Sequence, residues 1–146
     1  AFLLQDKIRK NEFYSIWDDL NGGFIISNID AQDPRLESDY ANVHFFLQSP
    51  QKLSTDVYIF GKLSNYDLLP EFKLEYDNEL RGYRGDALLK QGWYDYIYYT
   101  PGDPYVIEGS HFETENDYDI LVYVKPQGKT YSILAGYVFF NNNSIR

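Results

Sequence analysis

Four carboxylates stand at alternate positions late in the chain: Glu113, Glu115, Asp117 and Asp119. If that stretch is extended, all four project from one face, and a row of oxygen ligands of this kind suits calcium. The stretch lacks the glycine spacing of a calcium loop. Like charges along one strand face also repel unless something compensates them. A solvated turn leading into a strand accounts for the same residues without a ligand, so no metal or cofactor is expected.

The two histidines carry the remaining acid–base chemistry. His44 sits within Val43-His44-Phe45, where its neighbours project to the opposite face. A partly buried strand histidine with a hydrogen-bond partner explains it better than a general base does. No nucleophile with a recognisable local context accompanies it. His111 lies beside the carboxylates that run from Glu108 to Asp119, and two histidines do not make a histidine-rich zinc site. Gly82 and Gly85 bracket Tyr83-Arg84 as strand punctuation, and neither a phosphate loop nor a nucleophile elbow occurs. Acids are too abundant for one pair to stand out as the carboxylates of a glycosidase. The chain is expected not to be an enzyme.

Aromatic residues are the other conspicuous chemistry. From Trp93 to Tyr99, Tyr94, Tyr96 and Tyr98 project one way, while Trp93, Asp95, Ile97 and Tyr99 project the other. With the tyrosine row inward, the second row leaves a Trp, an Ile and a Tyr in one patch. Such a patch is either covered by a neighbouring segment or used for binding. Together with Tyr66 in the turn Ser64-Asn65-Tyr66, it defines a candidate binding surface of Tyr66, Trp93, Ile97 and Tyr99.

These residues need strands to position them. Phe24 to Ile29, Val43 to Leu47, Val57 to Phe60, Phe72 to Tyr76, Gly82 to Leu89, Trp93 to Tyr99, Ile120 to Val124 and Tyr131 to Phe139 read as strands. Asn21-Gly22-Gly23, Asp33-Pro34, Ser49-Pro50, Pro101-Gly102 and Pro126-Gln127-Gly128 punctuate them. Phe72-Lys73-Leu74-Glu75-Tyr76 alternates cleanly, with one side core and the other solvent. Phe13, Ile16, Trp17 and Leu20 fit one face of a helix, and an extended segment fits that region equally. About eight short strands with regular turns predict an all-β fold, an immunoglobulin-like (early-set) antiparallel β-sandwich.

The chain has 146 residues, no cysteine, no methionine and a formal charge of −9. That length suits one core, since domains are commonly ~100–150 residues. A single sandwich over residues 1–146 is expected, with 1–20 as a possible interdomain segment and 141–146 as a frayed tail. Without methionine, the sequence is expected to be processed or cut from a longer chain. Ala1-Phe2-Leu3-Leu4 is too short for a signal peptide or a membrane span. No basic stripe is available for nucleic acid, and an anionic membrane surface would repel the chain. From Glu108 to Asp119 there are five carboxylates and no Lys or Arg.

Two family resemblances rest on these residues. Val57-Tyr58-Ile59-Phe60-Gly61, Ser64-Asn65-Tyr66 and Gly92-Trp93-Tyr94-Asp95-Tyr96-Ile97-Tyr98 resemble the starch- and glycogen-binding modules of the early-set immunoglobulin-like class. That resemblance would make Asn116 a sugar contact and Tyr105 a second stacking ring. However, Tyr66 stands where those modules carry a turn tryptophan, and Ile97 where they carry a lysine. Carbohydrate is therefore not the expected partner, and a carbohydrate-binding module is the alternative reading.

The second resemblance runs from about residue 10 to about residue 137. It rests on Glu37-Ser38-Asp39-Tyr40-Ala41-Asn42-Val43-His44-Phe45, on Leu88-Leu89-Lys90-Gln91-Gly92-Trp93-Tyr94-Asp95-Tyr96, and on Glu108-Gly109-Ser110-His111-Phe112-Glu113-Thr114-Glu115-Asn116-Asp117-Tyr118. In this order they resemble the C-terminal part of the type IX secretion system plug protein family of Bacteroidetes. The resemblance implies a non-catalytic, periplasmic, outer-membrane-associated protein that takes part in protein transport. Its implied partner is a large outer-membrane β-barrel translocon, contacted from the periplasmic side without insertion into the membrane.

Overall fold

The computed structural model describes residues 1–13, 19–111 and 117–141. Among these residues the chain is all-β: ten strands, two one-turn helices and two 3₁₀ turns. Their contacts group into two compact units, residues 1–110 and residues 111–146.

The first unit is built on a six-stranded sheet. Its order is β1 (Asp6–Lys7), β3 (Tyr40–Gln48), β6 (Gly82–Lys90), β5 (Lys73–Asp77), β4 (Val57–Phe60) and β8 (Ile97–Tyr99). A two-stranded ribbon of β2 (Phe24–Ile26) and β7 (Gly92–Tyr94) accompanies it. Strand alternation sorts the side chains. Phe45 and Leu47 of β3, Val57 and Ile59 of β4, Leu74 of β5, Tyr83 and Ala87 of β6, and Tyr98 of β8 form the core with Phe72 and Ile107. Each fully buried Leu, Ile or Phe stabilises the fold by roughly 1.5–3 kcal/mol. The positions between them point outward.

The two ends of this sheet meet. The hydroxyls of Tyr96 and Tyr98 both donate to Asp6 Oδ2, at 2.8 and 2.7 Å. Arg9 N donates to the Ile107 carbonyl at 2.8 Å, and the Arg9 guanidinium pairs with Glu108 at 2.6 Å. The Phe45 ring on β3 meets Tyr96 edge-on, with centroids 5.1 Å apart. Strands at opposite ends of the order can touch in this way only if the sheet folds back on itself, which gives two facing layers around one core. The Asp6 cluster is the clasp. Strand β5 makes the transition by pairing with β4 at Lys73 and Leu74 and with β6 from Glu75 to Asp77.

Several elements differ from their expected form. The stretch from Trp93 to Tyr99 is two strands in two sheets. Asp95 breaks it: its N–H donates to the Gly23 carbonyl at 2.9 Å, and its carboxylate accepts from Leu20 N. Of the tyrosine row expected inward, Tyr98 is 3% exposed. Tyr96 is half-buried at the clasp, and Tyr94 is half-buried in the ribbon, stacked on Phe24 at 5.1 Å. The strand from Phe24 stops at Ile26, because Ser27 N turns to the Gln91 carbonyl and a turn follows at Asn28. The pairing is also not wholly antiparallel: β1 runs parallel to β3, with Phe2 matched to His44 ahead of it. Ile16 and Trp17 of the ambiguous helical face, and residues 142–146 of the tail, lie outside the described residues.

The second unit is an antiparallel ribbon of β9 (Asp117–Val124) and β10 (Ile133–Asn141), with an irregularity between Leu134 and Gly136. One face is uniformly apolar: Tyr118, Ile120, Val122 and Val124 beside Phe140, Val138 and Ile133. Tyr118 and Phe140 stack at 4.9 Å.

Candidate functional site

The outward positions of β4 and β8 carry an unusual set of residues. The pairs Phe60↔Ile97 and Tyr58↔Tyr99 lie directly opposite each other, on the face away from buried Ile59 and Tyr98. Phe60 and Tyr99 stack at 4.9 Å and 26°. Four large side chains therefore form one continuous outer face where a solvent-facing strand pair ordinarily carries polar residues.

A fourth ring is placed over its end. Gly61 leaves β4, and a 3₁₀ turn (Lys62–Ser64) follows. Asn65 and Tyr66 then adopt φ of 56° and 55°, the left-handed region that non-glycine residues rarely occupy. The strain is held by local hydrogen bonds. Tyr66 N donates to the Gly61 carbonyl at 2.9 Å, Asn65 N to the Lys62 carbonyl at 3.0 Å, and Ser64 Oγ to the Gly61 carbonyl at 3.0 Å. This turn brings the Tyr66 ring to 6.0 Å from Phe60, edge-on, while the side chain stays 53% exposed. Backbone strain that persists because its surroundings fix it often marks a functional position.

The structure thus unites Tyr66, Ile97 and Tyr99 through Phe60, and it separates Trp93. Trp93 lies on β7 opposite Ile25, and the two share the face of the ribbon away from Phe24 and Tyr94. It is 72% exposed and belongs to a different surface. Tyr58 and Phe60 were missed as site residues. Their signal was available in Val57-Tyr58-Ile59-Phe60, where both alternating rows are apolar. The free edge of β8 beside this face is closed, because Tyr98 N donates to Glu108 Oε1 at 2.9 Å. Whatever meets the face meets side chains rather than an open strand edge.

The acidic segment is only partly within view. Glu113 and Glu115, along with Asn116, lie outside the described residues. Asp117 and Asp119 share one face of β9. Asp119 accepts from the Tyr137 hydroxyl at 2.7 Å, which pushes that hydroxyl's pKa up, and Asp117 accepts from Asn141 Nδ2 at 2.7 Å. No group of three or more His, Asp or Glu placed to hold a metal occurs among the described residues. His44 has a partner, with Nδ1 lying 2.5 Å from Asp86 Oδ1. Tyr105 opens the short helix α2 (Tyr105–Glu108), which follows α1 (Pro34–Glu37) in the chain. No helix among the described residues is long and apolar enough to cross a membrane.

No protein-family model matches the chain, and no curated protein does. A solved structure does match. It is the crystal structure of a hypothetical protein from Parabacteroides merdae, 36% identical, with a TM-score of 0.82 over 97% of this chain. This chain spans 37% of the length of that protein. Identity at this level over nearly the whole chain extends the similarity beyond the fold, and the organism is a Bacteroidetes species.

Proposed function

We propose that the chain is a non-catalytic protein-docking domain of the immunoglobulin-like class. In this reading it belongs to a periplasmic plug of a type IX secretion translocon and meets the outer-membrane β-barrel from the periplasmic side. The observation that carries the docking reading is the strained Tyr66 turn. It holds an exposed ring against an aromatic face formed by Tyr58, Phe60, Ile97 and Tyr99. Large rigid aromatics surrounded by polar residues make reversible protein interfaces at small entropic cost. Here the surroundings are Lys62, Asn65 and Asp67. The Bacteroidetes origin of the similar structure supports the secretion assignment, as does the resemblance carried by Leu88 to Tyr96. The test is co-purification of tagged full-length protein with the translocon, comparing the parent with Tyr66→Ala/Tyr99→Ala. Loss of recovery by a variant that still folds, shown by a cooperative melting transition, is expected. Equal recovery would remove this face from the interface.

A further inference from the structure

A second surface lies on the other half of the folded sheet. The outward positions of β3, β6 and β5, with the segment leading into β1, line an open groove of about 700 Å³. The sheet register arranges its side chains in two rows. In the first, Phe2 is matched to His44 and His44 to Asp86. In the second, Phe46 is matched to Arg84 and Arg84 to Glu75. Each row therefore reads aromatic ring, nitrogen donor, carboxylate. The rows are two residues apart along the strands, about 7 Å.

The details support a receptive surface. The Phe2 ring stacks on His44 at 4.4 Å and 23°, yet the side chain is 86% exposed, so its outer face is uncovered among the described residues. The Phe46 ring covers Gly82, where any Cβ would come within 2.4 Å of it. The charges are mutually satisfied. His44 meets Asp86 at 2.5 Å, Arg84 meets Asp77 at 3.5 Å, and Lys73 meets Asp56 at 2.8 Å. Among the charged lining residues, Lys73 and Arg84 balance Glu75 and Asp86. An anionic ligand gains nothing from this balance and is repelled by a chain of charge −9. A cation gains little either, because Arg84 and Lys73 offset the two carboxylates of the lining.

We infer that this groove binds a neutral oligosaccharide, with neighbouring sugar rings on the two rows. The apolar face of a pyranose suits the Phe2 platform. Vicinal hydroxyls, each both donor and acceptor, suit a guanidinium or imidazole beside a carboxylate. The site is separate from the Tyr66 face, and its occupancy is independent of docking there. The test is a chemical-shift titration of the full chain with cellobiose, maltose and N,N′-diacetylchitobiose, and with a sulfated heparin disaccharide as the anionic control. At least one neutral sugar is expected to give saturable, millimolar shifts clustered at residues 42–46 and 82–86. Phe2→Ala and Arg84→Ala, both at exposed positions, should each weaken it by about tenfold or more, while Tyr66→Ala leaves it unchanged. The inference is overturned if no neutral sugar shifts those amides, if only the sulfated disaccharide does, or if both variants bind as well as the parent. Translocon recovery by Phe2→Ala, measured separately, tells failure here from failure of the docking reading.

Discussion

The two outer faces of the first unit use the same alternation for opposite ends. On β4 and β8 the outward residues are Tyr58, Phe60, Ile97 and Tyr99. On β3, β6 and β5 they are His44, Phe46, Arg84, Asp86 and Glu75, arranged so that nitrogen-bearing side chains lie across from carboxylates. Period-two patterning decides which residues form the core, and it does so equally well in both halves. What the solvent side can recognise depends on the residues left over. One half offers an aromatic surface suited to a protein, and the other a balanced polar surface beside the exposed Phe2 ring.

The largest expected effect is on the clasp that holds the two halves face to face. Tyr98 fills the core and shares Asp6 with Tyr96. Tyr98→Ala should cost about 3–5 kcal/mol in urea unfolding. Tyr96→Ala should cost less, because Tyr96 is only half-buried. If the two cost the same, the clasp matters more than the packing.

The clasp also predicts a pH dependence. Burial, the first cause, and then the neighbouring tyrosine or the Asp6 carboxylate push the hydroxyls of Tyr96 and Tyr98 well above the usual tyrosine range. In the unfolded chain these groups ionise near pH ~10. The fold keeps them protonated. Their stabilisation is therefore intact below about pH 10 and is lost as pH climbs towards the folded values. Tyr96→Phe/Tyr98→Phe should be less stable at neutral pH and should lose stability less steeply in alkali. An unchanged alkaline slope would show that other groups govern it.

A smaller effect separates the two faces. Tyr66→Ala/Tyr99→Ala should weaken translocon binding by about tenfold or more, near 1.4 kcal/mol, and should cost less stability than Tyr98→Ala, because Tyr66 is exposed and Tyr99 only half-buried. Arg84→Ala should not alter that binding. If both variants lose binding equally, the division between the faces fails.

Much of this was legible in the sequence. The β-rich class and the alternation of residues 72–76 follow from local pattern, whereas both rows of Val57 to Phe60 are apolar and pattern does not choose the inward one. The break at Asp95 was not legible, because Trp93 to Tyr99 alternates without interruption and the groups that break it come from Leu20 and Gly23. Nor was the role of Asp6 legible, since it arises only when strands more than eighty residues apart close the sheet. The two rows on the charged half needed the β3–β6 register, which pattern alone does not fix.

The smallest expected effect is at Trp93, and it tests the same point. In the sequence Trp93 stands beside the aromatic row and alternates with Ile97 and Tyr99, so pattern assigns it to their patch. In the fold it lies on a separate ribbon beside Ile25 and is largely exposed. Gly92 fixes that ribbon tightly, since a Cβ there would come within 2.3 Å of the Ile25 carbonyl. Trp93→Ala should therefore change neither the melting temperature nor translocon recovery measurably, whereas Gly92→Ala should displace the ribbon and lower stability. A chemical-shift titration with maltoheptaose should likewise leave the amides around Tyr66 unmoved in the parent and in Trp93→Ala. A loss of translocon recovery in Trp93→Ala as large as that from Tyr66 and Tyr99 together would make the docking surface span both sheets. Proximity in sequence would then have identified the patch better than sharing one sheet face.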